Sequence, residues 1–249
     1  MTPAMSSMSD RLLLRQLAFG LAPGVLGAAG NRMGVWTYGC SLPRCFGCTS
    51  AQTWHEASAA DAHWVDVAAL LHLAVKRNPG GMVLSGGEPS DQATGCTLLA
   101  SGFKALYPER EVVLYSGLRW GSLQARFPDL VAAVDVVVAG PYVQTLPANA
   151  LAGSSNQEVR LLTPLARKLF KGWESWPLHR LQVASQTTAS GDTEIITVGI
   201  PENQRVSQAA QRLTKSSVQQ VSWLPRSKEA HPLGPHAPYQ NRNSNKEQP

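Results

Sequence analysis

Apolar and polar residues alternate between strand-like and helix-like spacing along the first 140 residues. β-branched or apolar runs predict buried strands at residues 32–38, 82–84, 111–115 and 135–138. Apolar positions at helical spacing predict helices at 61–76, 93–106 and 123–134, the first capped by Asp61. This alternation predicts an α/β fold with a parallel sheet and right-handed crossovers.

The two ends of the chain follow other patterns. Residues 11–19 suit a strand or a helix, and residues 180–185 and 193–200 suit a β-hairpin joined by Ala-Ser-Gly-Asp. After Pro201 the composition turns polar, with a possible helix at 208–220 and a disordered end from 228. We therefore expect an N-terminal segment (1–20), one folded domain (21–204) and a polar tail (205–249).

The net charge of +5 is concentrated in that tail. It holds two acidic residues and seven basic ones: Arg205, Arg212, Lys215, Arg226, Lys228, Arg242 and Lys246. Because seven minus two equals the whole excess, the body is formally neutral, and nucleic-acid binding by the body is not expected. The tail suits solvent, although contact with nucleic acid or an acidic partner stays open. No apolar run approaches the roughly 18–20 residues of a membrane span and no secretory signal is visible, so we expect a cytoplasmic protein without membrane association.

Three of the four cysteines lie within nine residues, as Cys40, Cys45 and Cys48. They follow the first predicted core strand directly, which argues against three unrelated thiols, and their spacing suits thiolate ligands in a reducing compartment. A [4Fe–4S] cluster can take three thiolates and leave one iron open. A closed zinc site needs four ligands, and zinc stays open because a fourth could come from His55, His63 or Cys96.

A second motif, Ser-Gly-Gly-Glu-Pro at residues 85–89, follows the second predicted core strand. Gly86 and Gly87 allow a backbone edge to approach a ligand closely. Glu88 and the neighbouring carbonyl groups suit an ammonium group. Because parallel strands end at the same edge of a sheet, the cysteines and this motif are expected to form one pocket.

These motifs, in their order, resemble the radical S-adenosylmethionine (SAM) superfamily, and within it the small activating-enzyme branch. That branch includes the activating proteins of anaerobic ribonucleotide reductase and pyruvate formate-lyase. The resemblance extends over about residues 21–201 and is carried by residues 30–40, 45–54, 85–89, 114–117 and 135–157. It implies a partial, open (β/α) barrel of radical SAM type with a C-terminal hairpin.

The resemblance also implies the cofactors, the partners and the site. A [4Fe–4S] cluster would be bound by Cys40, Cys45 and Cys48. S-adenosylmethionine would be held by Gly86, Gly87, Glu88, Pro89, Ser116 and Asn156. The implied activity is that of an oxidoreductase that cleaves S-adenosylmethionine reductively, makes a 5′-deoxyadenosyl radical and activates a glycyl-radical enzyme. Reduced flavodoxin or ferredoxin would supply the electron.

Three positions depart from the family pattern. One extra residue separates Cys40 from Cys45, Gly47 stands where an aromatic residue is common, and Ala139 stands where an Asp is common. Two other functions stay open beside activation of a glycyl-radical enzyme. One is radical modification of a peptide or small metabolite, and the other is a non-catalytic, metal-binding relative of the fold.

Overall fold

The computed structural model describes residues 10–24, 26–54, 63–178, 181–187 and 193–199. Within them, seven strands form one open sheet in the order β3-β1-β2-β4-β5-β6-β7. The strands are β1 (Arg11–Leu21), β2 (Arg32–Thr37), β3 (His63–Asp66), β4 (Met82–Gly86), β5 (Val112–Ser116), β6 (Val136–Ala139) and β7 (Glu158–Leu161). The predicted open α/β architecture is therefore confirmed.

The centre of the sheet is parallel. Strands β2, β4, β5 and β6 run in one direction, while β1, β3 and β7 are antiparallel to their neighbours. The helices are α1 (Val67–Arg77), α2 (Ala93–Leu106), α3 (Trp120–Arg126), α4 (Pro128–Ala132) and α5 (Pro164–Leu169). Because α1 to α4 lie in the connections between parallel strands, the loops after β2, β4, β5 and β6 all meet at the carboxyl-terminal edge of the sheet.

The sheet is covered on both faces, as its apolar central strands require. Successive residues of β4 point to opposite sides. Leu84 packs with Leu99 and Phe103 of α2 in one core, whereas Val83 packs with Ile196 in a second core. Ile196 belongs to the hairpin of β8 (Leu181–Thr187) and β9 (Thr193–Gly199), so the hairpin contributes to the core on the face opposite α2.

The amino-terminal edge of the parallel strands holds a buried ion pair. Arg32, at the start of β2, contacts the carboxylate of Glu111, and both side chains are within 1% of full burial. The Arg32 guanidinium also donates to the carbonyl of Met82 (3.1 Å), and Glu111 accepts from the amide of Ala29 (2.9 Å). Charge-assisted bonds of this kind offset part of the cost of burying two ions, although Arg32 Nε and Glu111 Oε2 make no hydrogen bond. Here the bonds join β2, β4 and the start of β5.

A second buried carboxylate lies at the same edge. Asp135 accepts hydrogen bonds from Lys104 of α2 (2.7 Å), from the hydroxyl of Thr163 (2.7 Å) and from the amide of Val112 (3.0 Å). Asp135 therefore fixes α2, β5 and the segment after β7 to the start of β6.

The structure corrects two predicted helix boundaries. The helix predicted at 61–76 begins at Val67, because His63–Asp66 pairs with β1 as an edge strand. The helix predicted at 123–134 is two helices, because the residue before Pro128 is disfavoured from helical geometry and Phe127 has φ −133° and ψ 54°. Residues 11–19 belong to a strand.

The remaining predictions concern the ends of the chain. The two hairpin strands are confirmed, while Asp61, the hairpin turn at 188–192, the helix at 208–220 and the end from 228 lie outside the described residues. β1 runs across the predicted boundary at residue 20, and the division into three segments stays a prediction. Among the described helices, none has the length and apolar character needed to cross a membrane.

Candidate functional site

The three clustered cysteines lie on one irregular loop after β2, residues 40–50, which we call the cysteine loop. Its two ends are joined at a neck, where the amide of Gly39 donates to the carbonyl of Thr53 (2.7 Å). All three thiols are free and partly exposed. The loop therefore presents Cys40, Cys45 and Cys48 at the carboxyl-terminal edge of the sheet, the position that open parallel sheets use for ligands.

Two of these thiols already receive hydrogen bonds that favour the thiolate. Cys40 accepts one from the backbone of Leu42, and Cys48 accepts bonds from the backbone of Ser50 and the side chain of Trp54. Burial nevertheless dominates and raises the pKa of Cys40 to about 11, and burial also raises the pKa of Cys48. Iron binding at this loop would therefore displace protons from thiols.

The donor set fits an iron–sulfur cluster better than a single ion. Among the described residues, no three His, Cys, Asp or Glu side chains converge closely enough to hold one metal ion. Zinc needs all its sulfur ligands at about 2.3 Å from one point, whereas the thiolates of a cluster bind different irons. The charge of Cys48 contributes to the raised pKa of Cys40, and the charge of Cys45 contributes to the raised pKa of Cys48.

The motif at residues 85–89, which we call the Gly-Gly turn, packs directly against the neck of the cysteine loop. The amide of Gly87 donates to the carbonyl of Thr37 (2.9 Å), and the amide of Glu88 donates to the carbonyl of Gly39 (2.8 Å). A Cβ on Gly87 would overlap the carbonyl of Gly39, and Gly86 has a φ of +114°. Both glycines are thus required by close backbone approach, and the two predicted motifs lie side by side.

The buried side chain of Glu88 stabilises this turn through hydrogen bonds. This side chain accepts from the hydroxyl of Ser116 (2.9 Å), the last residue of β5, and from the amide of Gly117 (2.8 Å). It also accepts from the amide of Ser90 (3.1 Å). Burial is the largest influence and raises the pKa of Glu88 despite these donors. A carboxylate has about four acceptor positions, and the side chain of Ser90 provides a fourth donor from the protein.

Two other residues of the predicted site occupy different environments. Ser116 is buried and bonded to Glu88, so its hydroxyl organises the turn. Asn156 is exposed and donates to the carbonyl of Pro141 (2.8 Å). Asn156 borders a cleft of about 140 Å³, which is smaller than the ~300–1,000 Å³ of typical ligand sites. The cleft is lined by Arg119, Ala139, Gly140, Pro141, Asn156 and Glu158.

The segment after β6 extends to the cysteine loop. A Cβ on Gly47 would overlap the side chain of Gln144, so this glycine leaves space for Gln144. Burial, with a smaller contribution from the charge of Cys48, raises the pKa of Tyr142. This segment was not assigned to the site from the sequence, because Tyr142 and Gln144 lie about one hundred positions from the cysteines.

Sequence reasoning also missed the residues that follow the Gly-Gly turn. The carboxylate of Asp91 accepts from the amide (2.7 Å) and hydroxyl (2.6 Å) of Ser41. The side-chain amide of Gln92 donates to the carbonyl of Tyr38 (3.0 Å). The only signal for either residue is a polar pair after Pro89.

The three residues considered as a fourth zinc ligand lie in different environments. Cys96 is fully buried in α2, as its apolar surroundings predict, and burial raises its pKa. His63 lies exposed on β3, and His55 lies outside the described residues. Cys96 is therefore a core residue, and its thiol is shielded from solvent.

Comparison with known proteins adds independent information. A family model described as a 4Fe-4S single cluster domain matches residues 26–160, more than half of the chain. The anaerobic ribonucleoside-triphosphate reductase-activating protein of Enterobacteria phage T4 is 29% identical over 133 residues, covering 52% of this chain and 83% of the phage protein. The protein of the same name from Vibrio cholerae serotype O1 is 27% identical over 147 residues, covering 56% of this chain and 93% of its own.

A solved structure described as QueE from Escherichia coli covers 45% of this chain and 58% of its own, with 14% identity and a TM-score of 0.34. At that score the likeness supports no argument. The matched residues 26–160 contain the cysteine loop, the Gly-Gly turn and the cleft.

Proposed function

The chain belongs to the 4Fe-4S single cluster domain family, and from this premise we propose that it is the activating enzyme of a glycyl-radical protein. The observation that carries the proposal is the direct packing of the Gly-Gly turn on the neck of the cysteine loop, through the 2.9 Å and 2.8 Å hydrogen bonds of Gly87 and Glu88. A cluster on this loop and a cofactor on this turn would be immediate neighbours.

Family membership and the two related proteins confirm three predictions from the sequence: the activating-enzyme branch of the radical SAM superfamily, an enzyme, and the pair of a [4Fe–4S] cluster and S-adenosylmethionine. When bound, the cluster would supply the electron that reduces the sulfonium cofactor. We assign its three thiolate ligands to Cys40, Cys45 and Cys48, since these share one loop and two of them receive hydrogen bonds to sulfur.

The chain's own residues orient the sulfonium cofactor in this proposal. Gly86 and Gly87 present backbone groups that no side chain screens, and Pro89 is buried and starts the 3-10 turn behind them. The negative charge of Glu88 would attract an ammonium group held on the turn, while Ser116 keeps that carboxylate in place. Asn156 would contact a more distant part of the cofactor from the rim of the cleft.

The partner of this reaction would be a protein that inserts a glycine-containing loop. The printed names of the related proteins favour an anaerobic ribonucleotide reductase as that partner. The tip of the cysteine loop suits contact with a macromolecule, since Phe46 is 69% exposed. We expect reduced flavodoxin or ferredoxin to supply the electron, in a cytoplasmic compartment that keeps the thiols reduced.

The test is anaerobic reconstitution of the full chain with iron and sulfide, followed by reduction in the presence of S-adenosylmethionine. We expect 5′-deoxyadenosine, and a glycyl radical in electron paramagnetic resonance (EPR) spectra when an anaerobic ribonucleotide reductase is added. Cys45→Ala should give neither product. A wild-type chain that holds a cluster but never forms 5′-deoxyadenosine would overturn the proposal. Formation of 5′-deoxyadenosine with peptides or metabolites alone would favour the alternative substrate class.

A further inference from the structure

Asp91 joins the Gly-Gly turn to the residue after the first cluster ligand. Its two carboxylate oxygens accept from Ser41, one from the amide at 2.7 Å and the other from the hydroxyl at 2.6 Å. Ser41 is covalently adjacent to Cys40. A carboxylate that accepts two hydrogen bonds from one residue fixes both the position and the orientation of that residue.

The 3-10 turn that contains Asp91, Pro89–Gln92, is held in place by several hydrogen bonds. The amide of Asp91 donates to the carbonyl of Glu88 (3.0 Å). The neighbouring Gln92 side chain bonds to the amide and carbonyl of Leu13 in β1 and to the carbonyl of Tyr38. The short 3-10 turn therefore connects β1, the end of β2 and the cysteine loop, and Asp91 is its contact with the loop.

The charge of Asp91 also acts on the ligand thiol. Both carboxylate oxygens bond to Ser41, the residue covalently adjacent to Cys40, so this charge lies close to the thiol. A negative charge that disfavours a thiolate also disfavours an extra electron on metal ions bound to it. Net charge and hydrogen bonding near the sulfurs are among the factors that set the potential of iron–sulfur clusters.

We propose that Asp91 is a positioning residue for the cluster: it holds Cys40 in place through Ser41, and its charge lowers the reduction potential of the cluster bound there. This inference rests on the proposed function, because it takes Cys40 as a cluster ligand. Reduction adds one electron from an external donor and makes or breaks no bond, so the local negative charge rises by one. A fixed carboxylate opposes that rise, and removing its charge favours the reduced cluster.

The test uses the full chain, reconstituted anaerobically, in a dithionite titration with redox mediators followed by EPR. Asp91→Asn keeps the shape of the side chain and removes its charge. We expect up to about tenfold more reduced cluster at a fixed potential, which is about 59 mV for a one-electron couple. Ser41→Ala keeps the charge and loses only the hydroxyl bond, so its shift should stay below about twofold, or about 18 mV.

The control is Asp129→Asn, which removes an equal charge from α4, a helix that leads into the opposite end of β6. This variant should leave the potential unchanged. A second measurement, hydrogen exchange of the Ser41 amide in protein without iron, tests positioning directly. Asp91→Ala should accelerate that exchange by at least about tenfold, because the acceptor is lost.

The outcomes separate this inference from the proposed function. An unchanged potential in Asp91→Asn overturns the electrostatic role, and an unchanged Ser41 exchange rate in Asp91→Ala overturns the positioning role. In both cases a wild-type chain that still forms 5′-deoxyadenosine leaves the proposed function intact. A wild-type chain that assembles no cluster overturns both.

Discussion

The two ends of the parallel strands use polar groups in opposite ways. At the amino-terminal edge, Arg32 and Glu111 are buried together and bonded to each other, and Asp135 has three donors. At the carboxyl-terminal edge, the thiols of the cysteine loop are partly exposed and free. Charge at the first edge joins elements of the fold, whereas the groups at the second edge are available for ligands.

This contrast teaches that stability and chemistry are separated along the strands. The amino-terminal edge can satisfy its ions only within the chain. The carboxyl-terminal edge is organised by backbone hydrogen bonds and by the side-chain bonds of Glu88 and Asp91, and its thiols remain free to bind a ligand. Substitutions at the two edges should therefore affect different measurements.

The largest expected effect is loss of the cluster in Cys45→Ala. We expect iron to fall from about four atoms per chain to near zero, with the chain still folded, because Cys45 lies on the partly exposed loop. Iron analysis and circular dichroism measure the two properties. The matched control, Cys96→Ala in α2, should keep its iron. A full iron complement in Cys45→Ala would contradict the assignment of Cys45 as a cluster ligand.

The next effect is on stability alone. Arg32→Met leaves the carboxylate of Glu111 buried without its partner, and we expect the free energy of unfolding to fall by about 3–5 kcal/mol. Urea unfolding measures it, and folded protein should still assemble a full cluster. The double variant Arg32→Met with Glu111→Leu should recover most of the loss. If the free energy of unfolding fell by less than about 1 kcal/mol, the range of surface ion pairs, the buried pair would not be a main source of stability at the amino-terminal edge.

A third substitution affects both properties, because the Gly-Gly turn belongs to the site and packs on the fold. In Gly87→Ala the new Cβ would overlap the carbonyl of Gly39. With two backbone hydrogen bonds disturbed, we expect a loss of about 2–3 kcal/mol in stability and about tenfold weaker binding of S-adenosylmethionine, or about 1.4 kcal/mol.

Unfolding and equilibrium dialysis of Gly87→Ala measure these changes. Gly121→Ala in α3 is the control, since its Cβ would meet no heavy atom within 4 Å. We expect Gly121→Ala to be unchanged or up to about 1 kcal/mol more stable, because alanine favours a helix. Wild-type affinity in Gly87→Ala would mean that the turn does not hold the cofactor.

The smallest effect is expected from Asn156→Ala at the rim of the cleft. Loss of one exposed hydrogen-bonding side chain should weaken cofactor binding about fivefold, which corresponds to about 1 kcal/mol. Stability should stay within about 0.5 kcal/mol of the wild type. Ser155→Ala next to it should change neither property. A large loss of stability in Asn156→Ala would place this residue with the structural edge instead.

Local patterns in the sequence predicted much of the architecture. The run at Val136–Ala139 is fully buried, as β-branched residues in a central parallel strand require, and α2 has the predicted bounds. The Gly-Gly motif predicted a close backbone approach, and the structure has it at Gly87. In each case the information lies within a few consecutive residues.

Features that depend on distant partners could not be predicted. His63–Asp66 is short and largely exposed, and only its pairing with β1 makes it a strand. Glu158–Leu161 is an edge strand of the same kind. The contact between Asp91 and Ser41 joins residues 50 positions apart, and Glu88 finds Ser116 across 28 positions. Such pairs exist only once the sheet brings its loops together.

The neck of the cysteine loop bears on how a lost cluster could be replaced. Because the hydrogen bond from Gly39 to Thr53 and the contacts of Asp91 are made by the protein alone, the ends of the loop stay in place without metal. The entropy of ordering them is lost during folding and not during metal insertion. We therefore expect a molecule that has lost its cluster to be reloaded with fresh iron and sulfide without unfolding.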